Sequence, residues 1–198
     1  MAILSKRYKV NYDRNKCLKS NSDEPQRYLF LDIDGVLNTA RYSNYLIDHN
    51  EDDVDEDGAL FDPEAVNNLA TIVSNISDLK IIISSTWRLK GWDWMNRLWA
   101  KRQLPGSIYS FTPVLELVCF VDKIKGHDTS SVYPYGTRAL EVNEWLRLYT
   151  NQNPLSYKYV ILDDVNDFLV MQQEHVIITD STCGITKEDV IKAMKILF

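Results

Sequence analysis

The sequence predicts an α/β fold in which helices cover both faces of a parallel β-sheet, giving three layers. Short apolar stretches of strand length alternate along the chain with longer stretches of helical periodicity. Strands that alternate with helices imply right-handed crossovers and parallel neighbours. Several strand stretches are apolar throughout, which is typical of strands that are buried on both faces.

Five stretches are expected to form the sheet. The clearest are "YLFLDID", "KIIISST" and "YKYVILDD", which are apolar runs of strand length that end in polar residues. In chain order, the expected strands are 28–34, 80–86, 107–112, 157–164 and 175–179. The polar residues 1–27, which precede the first strand, are interpreted as an N-terminal extension.

Four helices are expected after these strands. Asp62 is a favourable N-cap residue, and Pro63 suits the first position of the helix that follows. Thr186 and Asp189 form a capping box at the start of the last helix. In chain order, the expected helices are 63–76, 92–103, 138–149 and 187–197.

Composition indicates one globular domain, 28–198. The chain has 198 residues, of which 45% are hydrophobic and 25% charged, as is ordinary for a single domain. No apolar run reaches the roughly 18 residues that span a bilayer, and a secretory signal is not recognisable. A cytoplasmic location without membrane association is therefore expected. Three cysteines without a CxxC spacing indicate neither disulfides nor zinc: Cys17, Cys119 and Cys183.

Charge is unevenly distributed along the chain. The net charge of −6 argues against general coating of nucleic acid, because that affinity comes from clustered cations. Residues 48–57 hold seven acids, whereas 88–102 hold five cations and one acid. Charge is therefore segregated along the chain, and the net charge leaves room for a local basic surface at 88–102. The loops 38–61 and 113–136 are too short for a folded cap, so an open site is expected.

Polar residues follow three of the expected strands. They are Asp32 and Asp34 after the first, Ser84 and Ser85 after the second, and Asp163 and Asp164 after the fourth. Ligands of open parallel sheets bind beyond the carboxyl ends of the strands, and Asp32 and Asp34 would share one strand face. Acids that meet there repel unless a cation lies among them. Because hard oxygen ligands suit Mg²⁺, a magnesium site acting on phosphate is predicted.

The motifs "DIDGVLN", "IIISST" and "ILDD" resemble the first, second and fourth signatures of the haloacid dehalogenase-like (HAD) superfamily of phosphohydrolases. The series "LDIDGVLN... FDPEAV... IIISSTWR... WL... YVILDD" is also similar to the HAD domain of bacterial RNA-repair proteins. The resemblance extends over about residues 28–197. It implies a Rossmann-like three-layer sandwich with a minimal cap and, with the strands numbered in chain order, the sheet order 5-4-1-2-3.

The resemblance also implies catalytic roles for two carboxylates. Asp32 would attack phosphorus and form an aspartyl-phosphate. Asp34 would protonate the leaving oxygen and later accept a proton from the hydrolytic water.

Phosphate and metal ligands follow from the same resemblance. Gly35 would let the chain turn away and would present amide donors to phosphate. Ser84 would donate a hydrogen bond to a phosphoryl oxygen, with Ser85 as the alternative. The Mg²⁺ ligands would be Asp32, the carbonyl oxygen of Asp34, and Asp163 or Asp164.

The third HAD signature is a Lys or Arg, and Arg138 is the residue chosen for it. A cation in the first turn of a helix opposes the helix dipole, so an anion is expected nearby. Lys123 and Lys125 are competing candidates. Arg138 departs from the family pattern, because no glycine follows it and a long loop precedes it.

The function expected from these residues is a Mg²⁺-dependent phosphatase acting on a nucleotide or a nucleic-acid end. A non-catalytic binding module with a HAD fold and a phosphotransferase remain alternatives. A third alternative is a calcium-binding protein, because residues 53–64, "DVDEDGALFDPE", match the calcium-loop pattern. The tryptophans near the second strand either pack in the core or stack on a base: Trp87, Trp92 and Trp94.

Overall fold

The computed structural model describes residues 24–115, 137–150 and 156–198. In chain order its elements are β1 (Gln26–Leu31), α1 (Ala40–Asp48), β2 (Val54–Asp55), β3 (Gly58–Ala59), α2 (Pro63–Asn75), β4 (Lys80–Ile83), α3 (Trp92–Lys101), β5 (Ile108–Phe111), α4 (Thr137–Tyr149), β6 (Tyr157–Asp163), β7 (Val176–Ile178) and α5 (Lys187–Leu197). Several sequence assignments lie outside the described residues: Cys17, Cys119, Lys123, Lys125 and most of the extension 1–27.

The main sheet has five parallel strands in the order β5-β4-β1-β6-β7. This is the predicted order 5-4-1-2-3 viewed from the opposite edge. The α/β class, the parallel sheet and the strand order are therefore confirmed. The central strand is β1, so whatever follows β1 lies between the ends of its neighbours β4 and β6.

The first strand lies earlier in the chain than predicted. Gln26 and Arg27, which were assigned to the extension, pair with Tyr157 and Lys158 of β6. The strand ends at Leu31 rather than at residue 34. The expectation that Asp32 and Asp34 share a strand face is therefore wrong, because the chain has left the sheet before it reaches Asp34.

Successive side chains of the central strands point to opposite faces of the sheet, which divides the core into two clusters. Leu29 and Leu31 of β1 point to the side covered by α2, α3 and α5, whereas Tyr28 and Phe30 point to the side covered by α4. Side chains of β4 and β6 alternate in the same way. Burial on both faces explains why these strands are apolar throughout. Helices on both faces also give the predicted three layers.

The segment after β1 contains a helix that the sequence did not predict. Residues 38–61 were expected to be a loop, but α1 and the antiparallel hairpin of β2 and β3 lie within them. Helix α1 begins after Thr39, whose Oγ1 accepts a hydrogen bond from the Tyr42 N–H. Leu46 is the one buried residue of α1. So short an apolar stripe gives little helical signal, which is why the helix was missed.

The predicted helix starts of α2 and α5 agree with the structure. Asp62 caps α2 by accepting a hydrogen bond from the Glu64 N–H at 2.9 Å. Thr186 and Asp189 form the expected capping box of α5. Among the described residues, none of the helices has the length and apolar character needed to cross a bilayer.

Candidate active site

The ends of the three central strands are held side by side by backbone hydrogen bonds. The Asp32 N–H donates to the Leu162 carbonyl at 3.0 Å, and the Ser84 N–H donates to the Leu31 carbonyl at 2.8 Å. These two hydrogen bonds extend the backbone pairing between neighbouring strands by one residue beyond the ends of β1 and β4. Asp32, Ser84 and Asp163 are therefore neighbours at one edge of the sheet, as the sequence predicted.

Three carboxylates meet at this edge. Asp32, Asp163 and Asp164 each offer one oxygen, and these oxygens lie within 4.8 Å of one another. Burial and the nearby Asp32 carboxylate raise the pKa of Asp163 to about 7, and the same two causes raise the pKa of Asp164. A divalent cation would relieve this repulsion, so the three carboxylates fit a hard metal ion.

Arg138 joins two of these acids. Its Nη1 lies 2.8 Å from Asp32 Oδ2 and 3.0 Å from Asp163 Oδ2. Burial alone would lower the pKa of Arg138, but the two carboxylates outweigh it and raise that pKa. The anion expected beside this first-turn cation of α4 is therefore present. The guanidinium also stands where it can contact a group attached to Asp32.

The Asp34 carboxylate lies near enough to the other acids for its charge to contribute to the raised pKa of Asp164. Its side chain is exposed, and it does not belong to the cluster of Asp32, Asp163 and Asp164. Asn38 Nδ2 donates to Asp34 Oδ1 at 2.7 Å, and Trp87 Nε1 donates to Asp34 Oδ2 at 2.9 Å.

Gly35 occupies a position that other residues would not fit. Its φ of 67° lies in the left-handed region, and a Cβ there would lie 2.4 Å from Asp164 Oδ2. The Gly35 N–H, expected to face phosphate, donates to Asn38 Oδ1 at 2.9 Å. The Gly35 carbonyl accepts a hydrogen bond from Thr179 Oγ1 at 2.9 Å. Gly35 therefore allows the close approach of Asp164 to the turn.

The two serines after β4 have different surroundings. Both are fully buried, but Ser84 Oγ has no hydrogen-bond partner among the described residues. Ser85 Oγ accepts a hydrogen bond from the Trp87 N–H at 3.3 Å and caps the 3-10 turn Thr86–Lys90. A buried hydroxyl without a partner is costly, so Ser84 has donor capacity to offer a ligand.

Two of the five cations in the basic segment 88–102 pair with the acidic segment that precedes α2. Lys101 pairs with Asp55, Glu56 and Asp57, and Arg102 pairs with Asp55. Arg88 is buried and pairs with Glu141. A local basic surface is therefore not formed by these three cations.

The acids of the calcium-loop pattern fall into two sets with different partners. Asp55 and Asp57 flank the tip of the β2–β3 hairpin and pair with cations of α3 and the residue after it. Asp53 accepts a hydrogen bond from Ser43, and Glu64 pairs with Arg41. The carboxylate oxygens of Asp55, Glu56 and Asp57 do lie within 4.8 Å of one another, but all three side chains pair with Lys101. Because Asp53 and Glu64 have other partners, the geometry favours ion pairing over a calcium site of the predicted kind.

Sequence reasoning missed two side chains of the site. Asn38 is the last residue of the quoted motif "DIDGVLN" but received no role, and Trp87 was considered for packing or base stacking rather than for a hydrogen bond. Both contact Asp34. Only the positions of these two residues could have indicated a role in the site: Trp87 directly follows "SST", and Asn38 lies four residues after Asp34.

Fold and site together define a class of protein. The five-stranded parallel sheet in the order β5-β4-β1-β6-β7, with helices on both faces, is that of a HAD-like domain. Residues 28–190 match the family model described as the HAD domain in Swiss Army Knife RNA repair proteins, and the chain belongs to this family. Searches of curated proteins and of solved structures found no match.

Proposed function

We propose that this domain is a Mg²⁺-dependent phosphoric monoester hydrolase that forms an aspartyl-phosphate on Asp32. The observation that supports it best is the contact of Arg138 with both Asp32 and Asp163, next to the buried hydroxyl of Ser84 that has no protein partner among the described residues. These groups supply a nucleophile, a cation and a hydrogen-bond donor at one place.

The first step transfers the phosphoryl group to the protein. An Asp32 carboxylate oxygen forms a bond to phosphorus while the ester P–O bond breaks. The leaving oxygen takes the proton of Asp34 and departs as an alcohol. Arg138 and Ser84 contact the phosphoryl oxygens, where negative charge is concentrated.

The second step releases phosphate. Asp34, now a carboxylate, accepts a proton from a water molecule whose oxygen attacks phosphorus. The bond between phosphorus and Asp32 breaks, which restores the Asp32 carboxylate and the proton on Asp34. Inorganic phosphate leaves, so the cycle consumes one water for each ester.

Asp32, the carbonyl oxygen of Asp34, and Asp163 or Asp164 would hold the ion, and bound Mg²⁺ would neutralise charge on the transferred phosphoryl group. Of the last two, Asp164 is the better candidate. Its Oδ2 lies against Gly35, next to the proposed carbonyl ligand, whereas Asp163 accepts from Arg138 at Oδ2 and from the Val165 N–H at Oδ1.

For the substrate, we propose a phosphorylated nucleotide or nucleic-acid end. The family description names RNA repair proteins, and the segment between β1 and α2 forms one short helix and a two-residue hairpin rather than a separate domain. Phosphate release from mononucleotides, oligonucleotides phosphorylated at either end, sugar phosphates and phosphopeptides tests this. Preference for the first two groups is expected, and equal rates on all four would contradict the substrate proposal.

Ser84→Ala should separate activity from stability. A hydrogen bond to a charged group contributes about 1.5–3 kcal/mol, so kcat/KM should fall roughly 10- to 100-fold. Because the hydroxyl is buried without a partner in the described part of the chain, its removal should leave the melting temperature unchanged or slightly higher. Ser85→Ala is the control, with a smaller loss of activity. Equal activity of Ser84→Ala and wild type would exclude Ser84 as a phosphate ligand.

Ion binding should weaken as the pH falls through 7. The pKa of Asp163 is raised to about 7, so below that pH its proton removes one negative charge from the cluster and weakens the attraction for the ion, whether Asp163 or Asp164 is the ligand. Apparent Mg²⁺ affinity, measured by calorimetry without substrate, should be roughly tenfold lower at pH 6 than at pH 8. Asp163→Asn should lose most of this pH dependence. The same affinity at both pH values in wild type would contradict the assignment.

A further inference from the structure

Trp87 has a hydrogen bond that no packing role requires. Its Nε1 donates to Asp34 Oδ2 at 2.9 Å across 53 positions of sequence, while Asn38 Nδ2 donates to Asp34 Oδ1 at 2.7 Å. Both oxygens of one exposed carboxylate are therefore held by the chain.

The indole of Trp87 is itself fixed by its surroundings. Its ring centroid lies 5.7 Å from that of Phe61 and 6.1 Å from that of Trp94. Lys90 Nζ lies 5.1 Å from the ring centroid, and the hairpin approaches so closely that a Cβ on Gly58 would lie 3.1 Å from Trp87 Cη2. The direction of the indole N–H is therefore set by a packed aromatic cluster.

We propose that Trp87 and Asn38 are positioning residues that hold the Asp34 carboxyl group where it delivers its proton to the leaving oxygen. This inference rests on the proposed function, in which Asp34 is the general acid. An exposed aspartate otherwise samples several rotamers, and proton transfer requires hydrogen-bond contact with the reacting oxygen. Fixing both oxygens keeps the productive orientation populated.

The two hydrogen bonds are compatible with proton transfer. Each carboxylate oxygen has two lone-pair positions. The donors on Trp87 and Asn38 take one position on each oxygen, so one position remains on each, and either can carry the proton that Asp34 gives to the leaving oxygen and later recovers from water.

The identity of the leaving group reveals whether this positioning matters. An aliphatic alcohol is a poor leaving group and needs a proton as the P–O bond breaks, whereas para-nitrophenolate leaves without one. Loss of proton delivery should therefore slow hydrolysis of an alkyl phosphate much more than hydrolysis of para-nitrophenyl phosphate. Partial unfolding or loss of ion binding would slow both reactions equally.

The test compares kcat/KM on phosphoglycerol and on para-nitrophenyl phosphate, because this ratio reports phosphoryl transfer to Asp32 and not the later water attack, which both substrates share. Trp87→Phe retains an aromatic ring in the cluster but removes the donor, so kcat/KM on phosphoglycerol should fall about tenfold or more while kcat/KM on the aryl ester changes less than about twofold. Asn38→Ala should give the same selective loss, and it provides the test if Trp87→Phe does not fold. Trp92→Phe changes an exposed indole that lies outside this cluster and packs on Phe111, so it should leave both rates unchanged.

A double variant shows whether Trp87 acts through Asp34. Once Asp34→Asn has removed the proton donor, adding Trp87→Phe should cause no further selective loss on phosphoglycerol. Equal losses on both substrates, or an undiminished Trp87 effect in the Asp34→Asn background, would overturn the inference. Full turnover by Asp32→Asn would instead overturn the proposed function.

Discussion

Asp32→Asn should abolish hydrolysis of phosphate monoesters, with kcat reduced ~1,000-fold or more, because an amide cannot replace the carboxylate nucleophile. The fold should be retained. Asp32 Oδ1 accepts the Ile33 N–H at 2.7 Å, and the amide oxygen of asparagine can accept the same bond. The measurement is phosphate release under saturating substrate and Mg²⁺, together with a thermal melt of each protein.

Asp93→Asn is the matched control for that experiment. Asp93→Asn removes the same charge as Asp32→Asn, but Asp93 is exposed in the first turn of α3. Both activity and melting temperature should therefore stay close to wild type. Turnover by Asp32→Asn at more than a few per cent of the wild-type rate would contradict the proposed nucleophile.

The largest loss of stability is expected from Arg88→Met. Arg88 Nη2 lies 2.6 Å from Glu141 Oε2, and each side chain is 5% exposed. Arg88 also donates to the carbonyls of Ser85 and Thr112. Removing one partner leaves a buried charge without compensation, which costs about 3–5 kcal/mol. The midpoint of thermal unfolding should fall by roughly 10 °C for a chain of this size.

Two comparisons make the Arg88 experiment specific. Arg97→Met removes an equal charge from an exposed position of α3 and should change the unfolding free energy by less than about 0.5 kcal/mol. The double variant Arg88→Met/Glu141→Leu should recover part of the lost stability, because neither member of the pair is then left as a buried charge without its partner. A single variant that melts within a degree of wild type would show that the buried pair contributes little.

The strand order and the position of the site could be predicted because both depend on local patterns. Continuous apolar runs identify strands that are covered on both faces, and the polar residues that follow them must lie at one edge of a parallel sheet. Asp32, Ser84 and Asp163 are brought together for this reason. Arg138 was chosen for its place in the first turn of a helix, and the structure does place it against two of the acids.

Pairings between distant residues could not be predicted in the same way. Nothing local indicates that Arg88 turns inward to Glu141, 53 positions away, or that Lys101 pairs with the acids before α2. The end of β1 was also misplaced, because residues 32–34 keep the alternation of a strand while the chain already turns towards Gly35. Both errors concern tertiary contacts that override a local pattern.

The ion pairs of the basic segment bear on which substrate is expected. Because Lys101 and Arg102 are engaged by Asp55, their charge is not available to attract a nucleic-acid backbone. The proposal depends instead on the family and on the absence of a cap domain between β1 and α2. Modest dependence of KM on salt is therefore expected, since few phosphate contacts would be made beyond the reacting group.

The most direct measurement for the account is the trapping of a phosphorylated intermediate. Protein loaded with Mg²⁺ is mixed with a phosphate monoester, quenched in acid and analysed by mass spectrometry of the intact chain and of its peptides. We expect one phosphoryl group, carried by Asp32, which disappears as the substrate is exhausted. Steady turnover with no phosphoryl group on Asp32, or with the group on another residue, would contradict the account.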